Sequence, residues 1–169
     1  MNRVVVTGLG VVSPVGNDVE SFWHALCTGT CGIGPITRFD TTDFKVKIAG
    51  EVRNFDPKQY MDKLDILHSD IYTQFAMAAA CQAMFDSRLA SEIDPERIGV
   101  YIGTGIGGIA TFMAEHQKLL ERGPRRVSPF FIPMMIANMA SSMIAMRFGC
   151  KGPAMPMVPA CASGSNANG

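Results

Sequence analysis

The chain has 169 residues, of which 47% are hydrophobic and 18% charged, enough apolar surface for one folded domain and too much for a disordered segment. The formal net charge is zero, which sets aside a nucleic-acid binder, since such proteins are usually basic overall with interleaved aromatics. The zero is a split: residues 1–121 hold all 15 Asp and Glu against ten Lys and Arg, while residues 122–169 hold five bases and no acidic side chain.

In chain order, Arg3–Thr7 is apolar and β-branched without alternation, which predicts a strand buried on both faces. Asn17-Asp18-Val19-Glu20 has the form of a capping box, with Asn17 as N-cap of a helix over about 18–28 that ends at Gly29. Residues 30–60 read as turns and short extended pieces. Ile71–Phe85 is apolar nearly all round, predicting a buried helix. Asp94-Pro95-Glu96 is a turn signal, and Ile98–Ile102 a second buried strand stopped by Gly103. A helix follows around 107–121, then one long helix over 134–148 with Pro133 in its first turn. A third apolar run, Ala154–Ala160, leads into small residues from Cys161 onward. Strands alternating with helices predict an α/β layered fold with a largely parallel sheet.

Five Cys without a Cys-x-x-Cys, and three His away from ligand spacing, predict no metal site. The core-rich composition and the absence of a signal-type N-terminus predict free thiols in a reducing cytoplasm. The most apolar stretch, Ile132–Met146, is interrupted by Pro133, Asn138, Ser141 and Ser142, and falls short of the roughly 20 apolar residues of a membrane span. Gly103-Thr104-Gly105-Ile106-Gly107-Gly108 fits a dinucleotide loop in form, yet no Asp or Glu follows Glu121 to hold a ribose. Close backbone packing is therefore the expected role, both here and at Gly8-Leu9-Gly10.

Cys161 stands apart. It follows an apolar run and precedes Ala162-Ser163-Gly164-Ser165, small residues that allow a sharp turn into a helix with the thiol exposed at the bend. A helix N-terminus there favours thiolate, and adjacent N–H groups suit a developing oxyanion. By itself this pattern also fits an inert buried cysteine.

Several ordered motifs then coincide. Val4-Val5-Val6-Thr7-Gly8-Leu9-Gly10, Ser13-Pro14-Val15-Gly16, Phe39-Asp40 and Ile98-Gly99 precede the 103–108 loop. Gly123-Pro124-Arg125, Ser128-Pro129-Phe130-Phe131-Ile132-Pro133, Asn138-Met139, Gly152-Pro153 and Ala160-Cys161-Ala162-Ser163-Gly164 follow it. In this order and spacing the chain resembles, end to end, the β-ketoacyl-acyl carrier protein synthases of the thiolase-like superfamily, most closely the type II elongating enzymes. The resemblance implies the N-terminal half of a thiolase-like layered αβα fold, spanning residues 1–169, with the C-terminal half absent. It implies an acyltransferase of fatty-acid elongation in which Cys161 is acylated by a carrier-bound acyl group. Malonyl-carrier protein is then decarboxylated, and its carbanion condenses with the acyl-Cys. The Cys161 N–H would serve as one oxyanion donor. Ile106 and Phe131 fall where the family lines or gates its acyl tunnel. Arg125 and Arg126 fall where it places basic contacts to the acidic carrier, and Lys63 stands near a related basic cluster that residues 64–70 lack. The partners implied are acyl carrier protein and, at full length, a second copy of the chain, with no cofactor, nucleic acid or membrane.

The family's two catalytic His and supporting Lys lie in the other half, and His24, His68 and His116 match none of them, so the segment alone is not expected to complete the condensation. Two departures stand out: Pro156 and Pro159 interrupt what the family builds as a central strand, and Met134-Met135 replaces smaller polar residues. A polyketide-type synthase and a non-catalytic partner subunit of the same fold remain alternatives. A thiolase is disfavoured by the late position of the cysteine.

Overall fold

A computed structural model describes residues 3–89 and 93–168. Helix α1 (Val19–Cys27) is followed by an antiparallel pair, β1 (Ile33–Pro35) with β2 (Ile48–Gly50), in register Gly34 to Ala49. Two helices come next, the short α2 (Lys63–Leu67) and the long α3 (Ile71–Ser87). Strand β3 (Val100–Gly103) then runs parallel to β4 (Ala154–Met157), with Ile102 opposite Pro156. The crossover between them holds α4 (Ile109–Arg122), α5 (Phe131–Met135) and α6 (Met139–Phe148), and α7 (Ser163–Asn166) follows β4. Among the described residues no helix is long and apolar enough to cross a membrane.

The core lies where α3 and α6 pack on each other and α6 packs on the parallel strands. Met61, Met77 and Ile144 are buried there with Val100, Ile102, Ile66 and Phe148 against them. Ala78, Ala140 and Ser141 are fully buried, small side chains that let helix backbones approach closely. Burying one Met or Ile side chain contributes about 1.5–3 kcal/mol, which is what holds the two helices on the sheet.

Several expectations change. The cap of α1 is Asp18, whose carboxylate accepts the Ser21 N–H at 2.8 Å. Asn17 instead donates to the Arg53 carbonyl at 2.8 Å, tying α1 to the segment after β2. Arg3–Thr7 is not a buried strand: Val4 is 92% exposed, and no strand among the described residues pairs with it. The following residues are bound to α3 instead. The Leu9 N–H donates to Asp86 and the Val11 N–H to Gln82, and a Cβ on Gly8 or Gly10 would strike the carbonyls of Ala83 or Ala79. Met1 and Asn2, which precede that run, lie outside the described residues. Helix α3 is buried only along Thr73, Gln74, Met77 and Ala78, while Phe85 is 89% exposed, so the helix is not buried all round. The single helix expected over 134–148 is two helices. Ile136 is extended (ψ 143°) and its carbonyl accepts the Tyr72 hydroxyl at 2.6 Å, so a tertiary hydrogen bond stabilises the break.

Strand β4 stops at Met157, short of the expected Ala160, because Pro159 leads into a 3-10 turn. Pro156 does lie within the strand. The bonds from Val100 N–H to Pro153 and from Thr104 N–H to Met157 show that odd-numbered β4 residues face β3. The donor that Pro156 lacks therefore points to the opposite edge, unpaired among the described residues, where proline is tolerated.

Two buried carboxylates fasten loops. Glu51 accepts both the Thr37 hydroxyl (2.8 Å) and its N–H (3.0 Å), and Glu115 holds Lys118 and the Ser128 N–H. These bonds, led by the Thr37 hydroxyl for Glu51 and by Lys118 for Glu115, hold both carboxyls below their ordinary value of 4.5. A folded pKa below the unfolded one gives stability that is fully present above about pH 4.5 and lost as pH falls through the folded value. Glu115→Gln should therefore lower stability at pH 7 and flatten the acid limb that begins as pH falls below about 4.5. Urea midpoints measured across that limb check it, and an acid limb as steep as wild type would contradict it.

Candidate active site

The chain turns sharply after β4. Thr104 N–H extends the ladder by bonding the Met157 carbonyl at 3.0 Å, then Pro159 leads to Ala160 in the left-handed region (φ 50°). A non-glycine residue there costs roughly 1–3 kcal/mol and persists only when its surroundings hold it. The hold is Ser163, 4% exposed, whose single hydroxyl proton is shared between the Ala160 carbonyl (2.7 Å) and the Thr104 carbonyl (2.9 Å). Gly103 completes the fit, since a Cβ on it would lie 2.3 Å from the Ser163 carbonyl oxygen. Cys161 sits exposed on this pinned turn. It belongs to the 3-10 turn Ala160–Ala162, two residues before α7 starts, and α7 has only four residues, so the expected helix-terminus field has little length behind it.

The other cysteines separate from it. Burial pushes the Cys81 and Cys150 thiols up, which disfavours thiolate at neutral pH. Cys27 and Cys31 are exposed but lie at and after the end of α1, outside the parallel-strand region.

The 103–108 loop does what close packing predicts. Gly107 (φ 80°) and Gly108 leave room for no side chain: a Cβ would lie 2.7 Å from the Met135 carbonyl at one and 2.5 Å from that of Met134 at the other. The start of α4, where a dinucleotide phosphate would bind, is taken by a carboxylate of the chain itself. Asp70, 4% exposed, accepts the Thr111 N–H at 2.7 Å.

Beside the loop, Ile106, Ile109, Phe112 and Met135 line an apolar cleft of about 230 Å³. Phe131 backs it, its ring centroid 6.1 Å from that of Phe112. The structure thus places Ile106 on the cleft and Phe131 against its Phe112 wall without lining it, and the Ser163–Thr104 bond places the Cys161 turn on the same loop. Ile109, Phe112 and Met135 were not singled out from the sequence. Ile109 and Phe112, at i and i+3, share one face of α4, and that spacing is the signal for these two. Met135 carries no comparable local signal.

Arg125 and Arg126 are exposed on the turn Pro124–Arg126 that follows α4, and Lys63 is exposed at the start of α2. These two regions adjoin: His68 at the end of α2 stacks on Phe130 with ring centroids 3.8 Å apart. Among the described residues the one ion pair is Lys118 with Glu115, so none of the three bases has an acidic partner.

The chain is similar to known proteins over nearly its whole length. The family model described as "Beta-ketoacyl synthase, N-terminal domain" matches residues 1–168. A 3-oxoacyl-[acyl-carrier-protein] synthase 2 from Synechocystis is 49% identical over 99% of this chain and 40% of its own length. One of the same name from Coxiella burnetii is 50% identical over 96% of this chain and 39% of its own length. The chain thus spans about two fifths of the curated relatives it matches. A solved ketosynthase from a type II polyketide system, in complex with its acyl-carrier protein, superposes with TM-score 0.83 over 100% of this chain and 45% of its own, at 22% identity, which makes the architecture thiolase-like. The chain belongs to the β-ketoacyl synthase family.

Proposed function

We propose that this chain is the N-terminal half, residues 1–169, of a 3-oxoacyl-[acyl-carrier-protein] synthase that extends fatty acids. The observation that carries the reading is the exposed Cys161 on a turn pinned to the same glycine loop that borders an apolar cleft. Cys161 gives up its proton, its thiolate attacks the thioester carbonyl of an acyl carrier, the carbon–sulfur bond to pantetheine breaks, and the departing carrier thiolate takes up that proton. The cleft lined by Ile106, with Phe131 behind it, takes the alkyl chain. Malonyl carrier then loses CO2, and the resulting carbanion attacks the acyl-Cys161 carbonyl, forming the new C–C bond and releasing the thiolate. Groups that stabilise the decarboxylation lie in the other half, and the working enzyme is a cytoplasmic homodimer. Identities of 49–50% to two proteins named 3-oxoacyl-[acyl-carrier-protein] synthase 2 favour this over a polyketide pathway.

Incubating the full-length protein with an acyl-carrier thioester tests the reading by intact mass: one acyl group per chain is expected, and none would refute it.

Arg125, Arg126 and Lys63 receive the acidic carrier. Unpaired surface bases act mainly through encounter and orientation, so reversing them should affect the carrier alone. Arg125→Glu with Arg126→Glu should raise KM for the carrier-bound donor about tenfold, leaving acylation by a small pantetheine-like thioester unchanged. Equal loss with both donors would remove this role.

A further inference from the structure

Both walls of the apolar cleft are held by residues at the start of α3. On one side, Asp70 accepts the Thr111 N–H at 2.7 Å and so fixes the first turn of α4, which supplies Ile109 and Phe112. The same carboxylate accepts the Tyr72 N–H at 3.2 Å, joining the two helix starts rigidly. On the other side, the Tyr72 hydroxyl donates at 2.6 Å to the carbonyl of Ile136, the extended joint between α5 and α6, next to the cleft-lining Met135. The preceding carbonyl, that of Met135, accepts the Gly108 N–H at 2.8 Å. Two successive carbonyls are thus held by different elements, which sets the orientation of the peptide and with it the direction in which Met135 leaves the backbone. With only the Gly108 bond the joint becomes a hinge. The Ile136 carbonyl then keeps one longer bond, 3.3 Å from the Met139 N–H, made within its own segment. The post itself does not give: α3 has 17 residues and packs Met77 and Ala78 into the core.

We infer that Asp70 and Tyr72 form a clamp that sets the width of the apolar cleft, with Tyr72 as a positioning residue for acyl chain-length discrimination. The inference rests on the reading of the cleft as the acyl site given under the proposed function. Tyr72 touches neither the acyl group nor Cys161 in this scheme; it acts through Ile136 and Met135.

The test uses full-length Tyr72→Phe, which removes one oxygen and keeps the ring. Hexanoyl and palmitoyl carrier thioesters compete for Cys161, and intact mass gives the ratio of the two adducts. The long-to-short ratio should rise about threefold to tenfold, the scale of one lost neutral hydrogen bond. A ratio within about twofold of wild type, by the same scale, in a variant with wild-type circular dichroism overturns the clamp. Hydrogen exchange at residues 135–139 is read in parallel and does not depend on acylation. If the wild-type protein takes up neither acyl group, the proposed function fails, and the exchange decides the clamp separately: faster exchange in Tyr72→Phe upholds it, unchanged exchange overturns it.

Discussion

Replacing Cys161 with Ala in the full-length protein should abolish the acyl adduct, lowering the acylation rate by on the order of 10³-fold or more. The size follows from chemistry: without the sulfur there is no atom at this turn to form the thioester, and binding of the acyl chain in the cleft leaves nothing behind after separation. Stability should hardly change. Cys161 is exposed, and the turn around it is fixed by Ser163, Thr104 and Gly103. Exposed substitutions of this kind usually fall within about 0.5 kcal/mol. Cys27→Ala and Cys31→Ala remove the two other exposed thiols and should leave the adduct intact. The pattern is read by intact mass on the three variants. An adduct that survives in Cys161→Ala, or vanishes in Cys27→Ala or Cys31→Ala, would move the nucleophile elsewhere.

The features legible in the sequence were those whose cause is local. Small residues after an apolar run announced the turn at Cys161, and Gly29, with φ 67°, ended α1 where expected. The glycine loops were readable as packing devices because the residues a nucleotide needs were missing further along the chain. Errors of one residue, as with Asn17 against Asp18, arose where two adjacent side chains are equally good caps and a distant carbonyl, that of Arg53, decided between them. Larger departures have larger causes. Arg3–Thr7 has the composition of a central strand, but composition supplies no partner, and none pairs with it among the described residues. Pro156 looked incompatible with β4 until the register showed which edge it faces.

What stayed invisible was every role set by long-range pairing. Asp70 reaches Thr111, Tyr72 reaches Ile136, and Ser163 reaches Thr104, across 41, 64 and 59 residues. No periodicity encodes such pairs, because each depends on how the parallel strands and α3 come together in space. These three contacts nevertheless build the candidate site: two hold the cleft walls and the third holds the Cys161 turn. Sequence motifs singled out Cys161 as the candidate nucleophile, and tertiary hydrogen bonds set the geometry of the turn that carries it.

The second large effect is expected from one methyl group at Gly103. A Cβ there would stand 2.3 Å from the Ser163 carbonyl oxygen and 2.8 Å from the Gly164 nitrogen, both backbone atoms that no rotamer change can remove. Gly103→Ala must therefore push the 160–164 turn off β3 by about 1 Å, a shift on the scale that costs around 10²-fold in rate. Overpacking of this kind also destabilises by about 1–3 kcal/mol. The displaced turn loses the Ser163 bond to Thr104, and with it the support for the left-handed Ala160 immediately before Cys161. Gly105→Ala is the matched control: a Cβ two residues along the same loop meets nothing within 4 Å. Acylation rates and urea midpoints of the two variants, taken at a temperature where both are folded, separate the effects. Gly103→Ala should lose acylation by about 10²-fold even after its folded fraction is accounted for, while Gly105→Ala stays near wild type. If the two glycines respond alike, the loop is not the seat on which the Cys161 turn rests.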